Sequence, residues 1–425
     1  MGLLFALAMS IFFPVTMTER QLAVHSERLP NGVQIIASFQ PHAPYFVASL
    51  WVNRGSASDP PNREGTAHLL EHLLPLKPFN DTTVQIAMER QGTLLIPETG
   101  RDFMAFHLQA SDAQTIVLVF PLLVNAVSEL TVDPKVLERE KQLIWLETLA
   151  LYEDPLWLMK TWLEAKLFEG TSYAHPPTGW LETVNQLSDD DVLQFHRSHF
   201  VAPNFALVAV VPDEKALTDI KGTLAFLPSG LTPSPSPISL REKPFSPTFE
   251  PLLQKTLARF RDALWGIGWR LPVSGKEQVA ADALVLYLRQ ILLPNIFGQI
   301  GVVQEWNLVA NPVKGEIALT VSVRLRPHTD LVERRILQAL QGLAKNGLAK
   351  SELDWLRERL RLDRFRAVSD PTRLARQLGW AWALHGDLQS VERYGEMIEN
   401  LDGEQIRQLA LRLASTKPVA VLVKK

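Results

Sequence analysis

Apolar residues return along this chain at helical intervals in some segments and as short continuous runs in others. In DPKVLEREKQLIWLETLALYEDP, the residues Val136, Leu137, Leu143, Ile144 and Leu146 recur at helical intervals, and Pro134 suits a first helical turn, which predicts one long helix. GTAHLLEHLLPL reads as a shorter helix that opens after Gly65 and is apolar at Ala67, Leu69, Leu70, Leu73 and Leu74. The runs FALVAVV at 205–211, DALWGIGWRLP at 262–272 and VAVLV at 419–423 read as strands, the second of them a core strand. EQVAADALVLYLRQILL at 277–293 reads as a further helix.

The pattern is also duplicated. Val184-x-x-Leu187-x-x-x-x-Val192-x-x-Phe195 recurs as Ile398-x-x-Leu401-x-x-x-x-Ile406-x-x-Leu409, at a constant offset. Each copy runs from a helix through an Asp- or Gly-containing turn into an amphipathic helix and then a short strand. Two tandem copies of one α+β unit of about 200 residues follow. Between them, LPSGLTPSPSPISLREKPFSPTFEP holds seven prolines from Pro228 to Pro251 and reads as an extended linker. The expected division is therefore an N-terminal domain at 17–226, a linker at 227–251 and a homologous C-terminal domain at 252–425, the two domains facing one another.

Composition narrows the function classes. The net charge is −3, and the absence of a dense Lys/Arg run gives no reason to propose nucleic acid as a partner. Cysteine is absent, which excludes disulfides and thiolate chemistry without fixing the compartment. Residues 1–16 have the apolar run of a signal peptide but lack a positive n-region and a small-x-small cleavage site. They are short for a bilayer span. Two readings stay open: a dispensable leader before Met17, with a cytoplasmic protein as the expectation, or an export signal or membrane-proximal anchor.

The candidate chemistry lies in His68-Leu69-Leu70-Glu71-His72. On a helix, residues four apart share a face, so His68 and His72 can hold one metal ion together. Glu71 flanks that face and can reach a water without being a ligand, which places a general base beside a Lewis acid. Chance produces such a string in on the order of one chain in a hundred of this kind. Two imidazoles and a carboxylate on an otherwise apolar helix would also be costly unless something satisfied them. A catalytic zinc needs a third protein ligand. The long helix offers Glu140 and Glu147, seven apart and on one side, whereas Glu138 faces away and reads as a solvated charge.

These residues resemble the pitrilysin and processing-peptidase family of zinc metallopeptidases, whose inverted His-x-x-Glu-His motif is followed by a Glu in a segment similar to EREKQLIWLE. LPNGVQIIA at 29–37, the strand ending in Arg54-Gly55-Ser56, FEGTSYAHPPTGWLETV at 168–184 and FHRSHFVAPNFALVAVVPD at 195–213 resemble the family in the same order. The resemblance implies that His68, His72 and Glu147 bind Zn2+, that Glu71 activates the water and that Glu140 supports the site from behind the ligands. It also implies an α+β fold of two tandem α/β-sandwich domains forming half of a clam-shaped chamber, with hydrolysis of unfolded peptides or presequences as the activity. The helix at 277–293 contains no histidine, so the second domain carries no second zinc site.

Departures from the family pattern shape the expected partner. Members that act unaided carry an Arg and, seven residues later, a Tyr in the second domain; FGQIGVVQEWNLVAN puts Gly301 and Leu308 there. Neither side chain can donate a hydrogen bond. The chain thus resembles the zinc-bearing subunit of a heterodimeric member, with a homologous chain supplying the Arg/Tyr pair. Ile96-Pro97-Glu98-Thr99 replaces the family's Asn-Ala-x-Thr on a substrate-pairing edge strand, and Pro97 removes one ladder donor. Pro75-Leu76-Lys77-Pro78 replaces a segment that usually follows the motif. The alternative function, from a different class, is a non-catalytic scaffold subunit of the same fold. His107, on an expected strand, reads as a packed side chain, and His175 and Tyr173 as parts of a structural loop.

Overall fold

The computed structural model describes residues 22–230, 262–326 and 330–423. The expected leader at 1–16 and residues 231–251 of the expected linker lie outside the described residues.

The first half builds a six-stranded sheet from β1 (His25–Arg28), β2 (Gln34–Phe39), β3 (Phe46–Val52), β6 (Leu94–Thr99), β7 (Met104–Ala110) and β8 (Phe205–Val211), with β4 (Pro78–Phe79) and β5 (Thr82–Thr83) as a separate small hairpin. The order is β1-β2-β8-β3-β7-β6, and only β2 and β8 run parallel. Its helices are α1 (Thr66–Leu73), α2 (Val84–Glu89), α3 (Ala113–Ser128), α4 (Pro134–Tyr152), α5 (Pro155–Leu167), α6 (Leu181–Asn185), α7 (Asp189–His199) and α8 (Glu214–Lys221).

The second half repeats the plan with four antiparallel strands in the order β10-β11-β9-β12, formed by β9 (Ala263–Pro272), β10 (Val303–Val313), β11 (Glu316–Leu325) and β12 (Val419–Val423). Its helices are α9 (Gln278–Tyr287), α10 (Leu293–Ile300), α11 (Leu331–Asn346), α12 (Lys350–Ser369), α13 (Pro371–Trp380), α14 (Gln389–Glu392), α15 (Tyr394–Glu399) and α16 (Gly403–Ser415). The helix expected at 277–293 is α9 followed by a π-turn over Leu288–Leu292 that leads into α10. By length and composition the run Gly275–Ile300 could cross a membrane; in the fold its residues Val279, Leu284 and Leu293 belong to the second core.

Both faces of each sheet are apolar, because every residue of β8 and nearly every residue of β9 and β11 is buried. Successive side chains point to opposite faces, so such strands need helices on both sides. The inner face of the first sheet packs on α1, α3 and α7 around Leu50, Phe106 and Leu207. Its other face, carrying Val47, Trp51 and Val208, is covered by Leu374, Ala375 and Leu378 of α13, a helix of the second half. Reciprocally, α5 of the first half covers the second sheet, with Met159 and Leu163 seated over Gly266; a Cβ there would stand 2.7 Å from Met159 Cγ. Each half therefore lends a helix to the other, and the halves interlock where the linker alone suggests two separate bodies.

A buried carboxylate reinforces the exchange. Glu164 on α5 receives Arg101 at 2.9 Å, Lys160 at 3.1 Å and the Asn311 amide of β10. Its two cations hold its carboxyl below the usual range against the opposing effect of burial.

Candidate active site

The site begins with how α1 starts. Gly65 occupies the N-cap position at φ +103°, a left-handed conformation that side chains rarely adopt, and an added Cβ would lie 2.8 Å from Val184. The cap is supplied from upstream: buried Asp59 accepts hydrogen bonds from the backbone N–H groups of Gly65 and Ala67, both at 2.8 Å. On its far side the entry is held by Thr183, whose hydroxyl donates to the carbonyl of Glu64 at 2.7 Å.

From α1, His68 and His72 project together, their rings 4.8 Å apart and nearly perpendicular. α4 crosses beside them and brings Glu140, buried, and Glu147, more than half exposed. The two nitrogens of His72 divide between these carboxylates: Nδ1 lies 3.3 Å from Glu140 Oε2, and Nε2 lies 3.8 Å from Glu147 Oε2. One donor atom from each of His68, His72 and Glu147 falls within 4.8 Å of the others. Among the described residues this is the one such cluster of histidines and acids. All five residues singled out in the sequence thus meet in one place.

Electrostatics suit a cation. Desolvation, aided by neighbouring His72, pushes His68 down to about 3, so its imidazole stays neutral, the form that binds metal. Its Nδ1 is buried and has no hydrogen-bond partner among the described residues. Glu140 holds the far nitrogen of His72, as carboxylates do behind metal-binding histidines. The donor set, two imidazoles and a carboxylate, is one that zinc accepts. These residues therefore fit the ion that the resemblance implies.

Glu71 is pushed up to about 7 by burial, while a hydrogen bond from Thr99 and the nearby His72 oppose the rise. The Thr99 hydroxyl donates to Oε2 of Glu71, a contact for which the sequence carried no signal. Thr99 ends β6, the edge strand of the first sheet. The Gly100 N–H donates to the Phe103 carbonyl at 2.8 Å, which sets the phase of the β6–β7 ladder. Alternation along an antiparallel pair then turns the backbone of Thr99, Pro97 and Leu95 toward the open edge. The Pro97 ring costs no bond to β7, as expected for proline on an edge. On the opposite face of the sheet, Glu98 lies 2.8 Å from Arg376 of α13 and 3.4 Å from His107 Nε2, and His107 Nδ1 meets Ser49 Oγ at 2.8 Å.

Residues elsewhere fall outside the site. His107 is fully buried on β7. His175 Nδ1 lies 3.0 Å from the Pro176 carbonyl, Tyr173 donates to Asp102, and His196 Nε2 lies 2.8 Å from the Val127 carbonyl. Gly301 ends α10 in the left-handed conformation, and Leu308 is buried on β10. Neither offers a polar side chain.

Comparison with known proteins agrees with this architecture. Residues 34–176, which include α1 and α4, match the family described as Insulinase (Peptidase family M16). The mitochondrial-processing peptidase subunit beta of Neurospora crassa is 22% identical over 232 residues, covering 51% of this chain and 46% of that protein, so the chain spans about half the length of this curated relative. Among solved structures, a protease from Helicobacter pylori superposes with a TM-score of 0.79 at 16% identity, over 95% of this chain and 100% of that one. A peptidase M16 inactive domain from Pseudomonas fluorescens reaches 0.78 at 17% identity, over 95% and 99%. The chain is thus similar over residues 34–176 to the M16 peptidases, and it has the α+β two-domain fold of the solved M16 structures.

Proposed function

We propose that this chain is the zinc-bearing subunit of an endopeptidase that hydrolyses unfolded peptides or presequences. The observation that carries the reading is the convergence of His68, His72 and Glu147, with Glu140 behind His72 and Glu71 alongside. In this reading His68, His72 and Glu147 hold the ion. The chemistry such an ion supplies is Lewis acidity toward a water and toward a scissile carbonyl. Glu71 takes the water's proton and delivers it to the departing amine nitrogen as the carbon–nitrogen bond breaks. Thr99 fixes one oxygen of Glu71 and leaves the other as the acceptor. The open edge of β6 offers carbonyls and N–H groups to an extended peptide, a form that folded substrates cannot present.

Gly301 and Leu308 support dependence on a homologous partner that brings an Arg/Tyr pair, as does the likeness to a processing-peptidase beta subunit. The same two residues, with the likeness to an inactive M16 domain, favour a second reading as a scaffold subunit. Peptide cleavage by the zinc-loaded chain, alone and mixed with a homologous Arg/Tyr-bearing chain, separates the two. The endopeptidase reading expects cleavage in the mixture and a loss of about 10²–10⁴ in rate for Glu71→Gln at unchanged zinc content. A zinc-loaded mixture that cleaves no unstructured peptide favours the scaffold.

A further inference from the structure

We infer that Asp59 is a positioning residue for the metal-binding face of α1, an assignment that rests on the function proposed above. The need arises at Gly65. Helices α3, α7 and α8 are capped by the side chain at their own N-cap position, Asp112, Ser188 and Asp213. α1 has glycine there and no side chain to spend on its first N–H groups. Asp59 replaces that cap from six residues upstream, with one oxygen on each of two backbone N–H groups at 2.8 Å. A carboxylate at a helix N-terminus also opposes the positive end of the helix dipole. Burying one is costly unless its hydrogen bonds are made. Asp59 and Ser188 thus differ in setting: Asp59 is buried at 2% exposure, while the Ser188 cap is exposed.

What distinguishes Asp59 from a simple cap is where it is anchored. Its own N–H donates to the Ser56 carbonyl at 2.9 Å. Ser56 and Ala57 in turn donate to the carbonyls of Gly100 and Arg101, at 3.0 and 2.9 Å. Gly55 allows this approach, since a Cβ there would stand 2.3 Å from the Gly100 carbonyl oxygen. Gly100 follows Thr99, and Thr99 holds Glu71. The path closes on itself: Asp59 grips the start of α1, the Ser56–Ser58 turn grips the β6–β7 turn, and β6 grips the base on α1. Asp59 therefore fixes the distance and rotation of α1 relative to the strand beside it, and with them the direction in which His68 and His72 present their nitrogens.

The test is divalent-metal affinity, read by chelator competition with Zn2+ and by the visible spectrum of the Co2+-loaded chain, at a temperature well below unfolding. Asp59→Ala is expected to weaken affinity about 10–100-fold, the usual effect of losing a group that orients metal ligands, and to change the Co2+ spectrum. Asp213→Ala, which removes an ordinary cap on α8, should lower thermal stability with metal affinity and spectrum unchanged. Asp59→Asn keeps the shape and one acceptor but turns an amide N–H2 toward an N–H, so it should lie between wild type and Asp59→Ala; it carries the test if the alanine variant does not fold. Wild-type affinity and an unaltered Co2+ spectrum in a folded Asp59 variant overturn this inference and leave the proposed function standing. A wild-type chain that binds neither metal overturns both.

Discussion

Trp51, on β3 of the first half, lies against the backbone of Gly379 on α13 of the second; a Cβ at Gly379 would stand 2.1 Å from Trp51 Cε2 and 2.2 Å from Cζ2. The ring is fully buried, so it has no room to withdraw. Gly379 is thus the notch through which α13 closes over the first sheet, as Gly266 on β9 is the notch for α5.

Gly379→Ala sets two effects against each other. Alanine favours an α-helix over glycine by about 1 kcal/mol, but forcing a methyl into a close-packed contact costs about 1–3 kcal/mol. With the ring at 2.1 Å the clash should win, and the variant should unfold at lower urea than wild type. Equal or greater stability would show that Trp51 and Gly379 do not meet in this way.

A second prediction concerns pH. Asp282 on α9 is partly buried between the Tyr394 hydroxyl at 2.6 Å and the Gln278 amide at 3.0 Å, and loss of solvent around it pushes its carboxyl up to about 6 against those two hydrogen bonds. The folded chain then holds the proton more tightly than the unfolded chain, so this residue's contribution to stability falls as pH rises from about 4 to about 6. Asp282→Asn removes the charged form. Relative to wild type it should gain about 2–3 kcal/mol at pH 7.5, because each tenfold difference in proton affinity between the folded and unfolded chain is worth about 1.4 kcal/mol, and that gain should vanish near pH 4. Urea unfolding at the two pH values measures it; a difference of the same size at both would contradict the account.

The open edge of β6 gives a third. An extended peptide added there finds N–H donors at Leu95 and Thr99 and none at Pro97 between them. Pro97→Ala supplies the missing donor, and one hydrogen bond contributes about 0.5–1.5 kcal/mol net. For the zinc-loaded chain with its partner, KM for an unstructured peptide should fall about two- to tenfold while kcat stays within about twofold. An unchanged KM would mean that substrate does not pair with this edge.

Much of this was legible in the sequence because it is local. The spacing of His68, Glu71 and His72 puts them on one helix face, the seven-residue step from Glu140 to Glu147 puts both on one side of α4, and the duplicated pattern marks α6–α7–β8 and α15–α16–β12 as equivalent runs. The bond from Thr99 to Glu71 and the reach of Asp59 to Gly65 were not legible, since neither has a periodicity: each depends on how a turn sits against a helix. The exchange of α5 and α13 was hidden for a related reason. An apolar stripe says which face of a helix is buried, and carries nothing about which of two apolar sheets will receive it.

Zinc binding by His68, His72 and Glu147 is tested by the metal content of the purified chain, by elemental analysis after dialysis against a trace of zinc. One zinc per chain is expected in the wild type, and its loss from Glu147→Ala and His72→Ala, with both variants remaining folded by circular dichroism. A folded wild-type chain without zinc, or a Glu147→Ala variant that retains the wild-type amount, would contradict it.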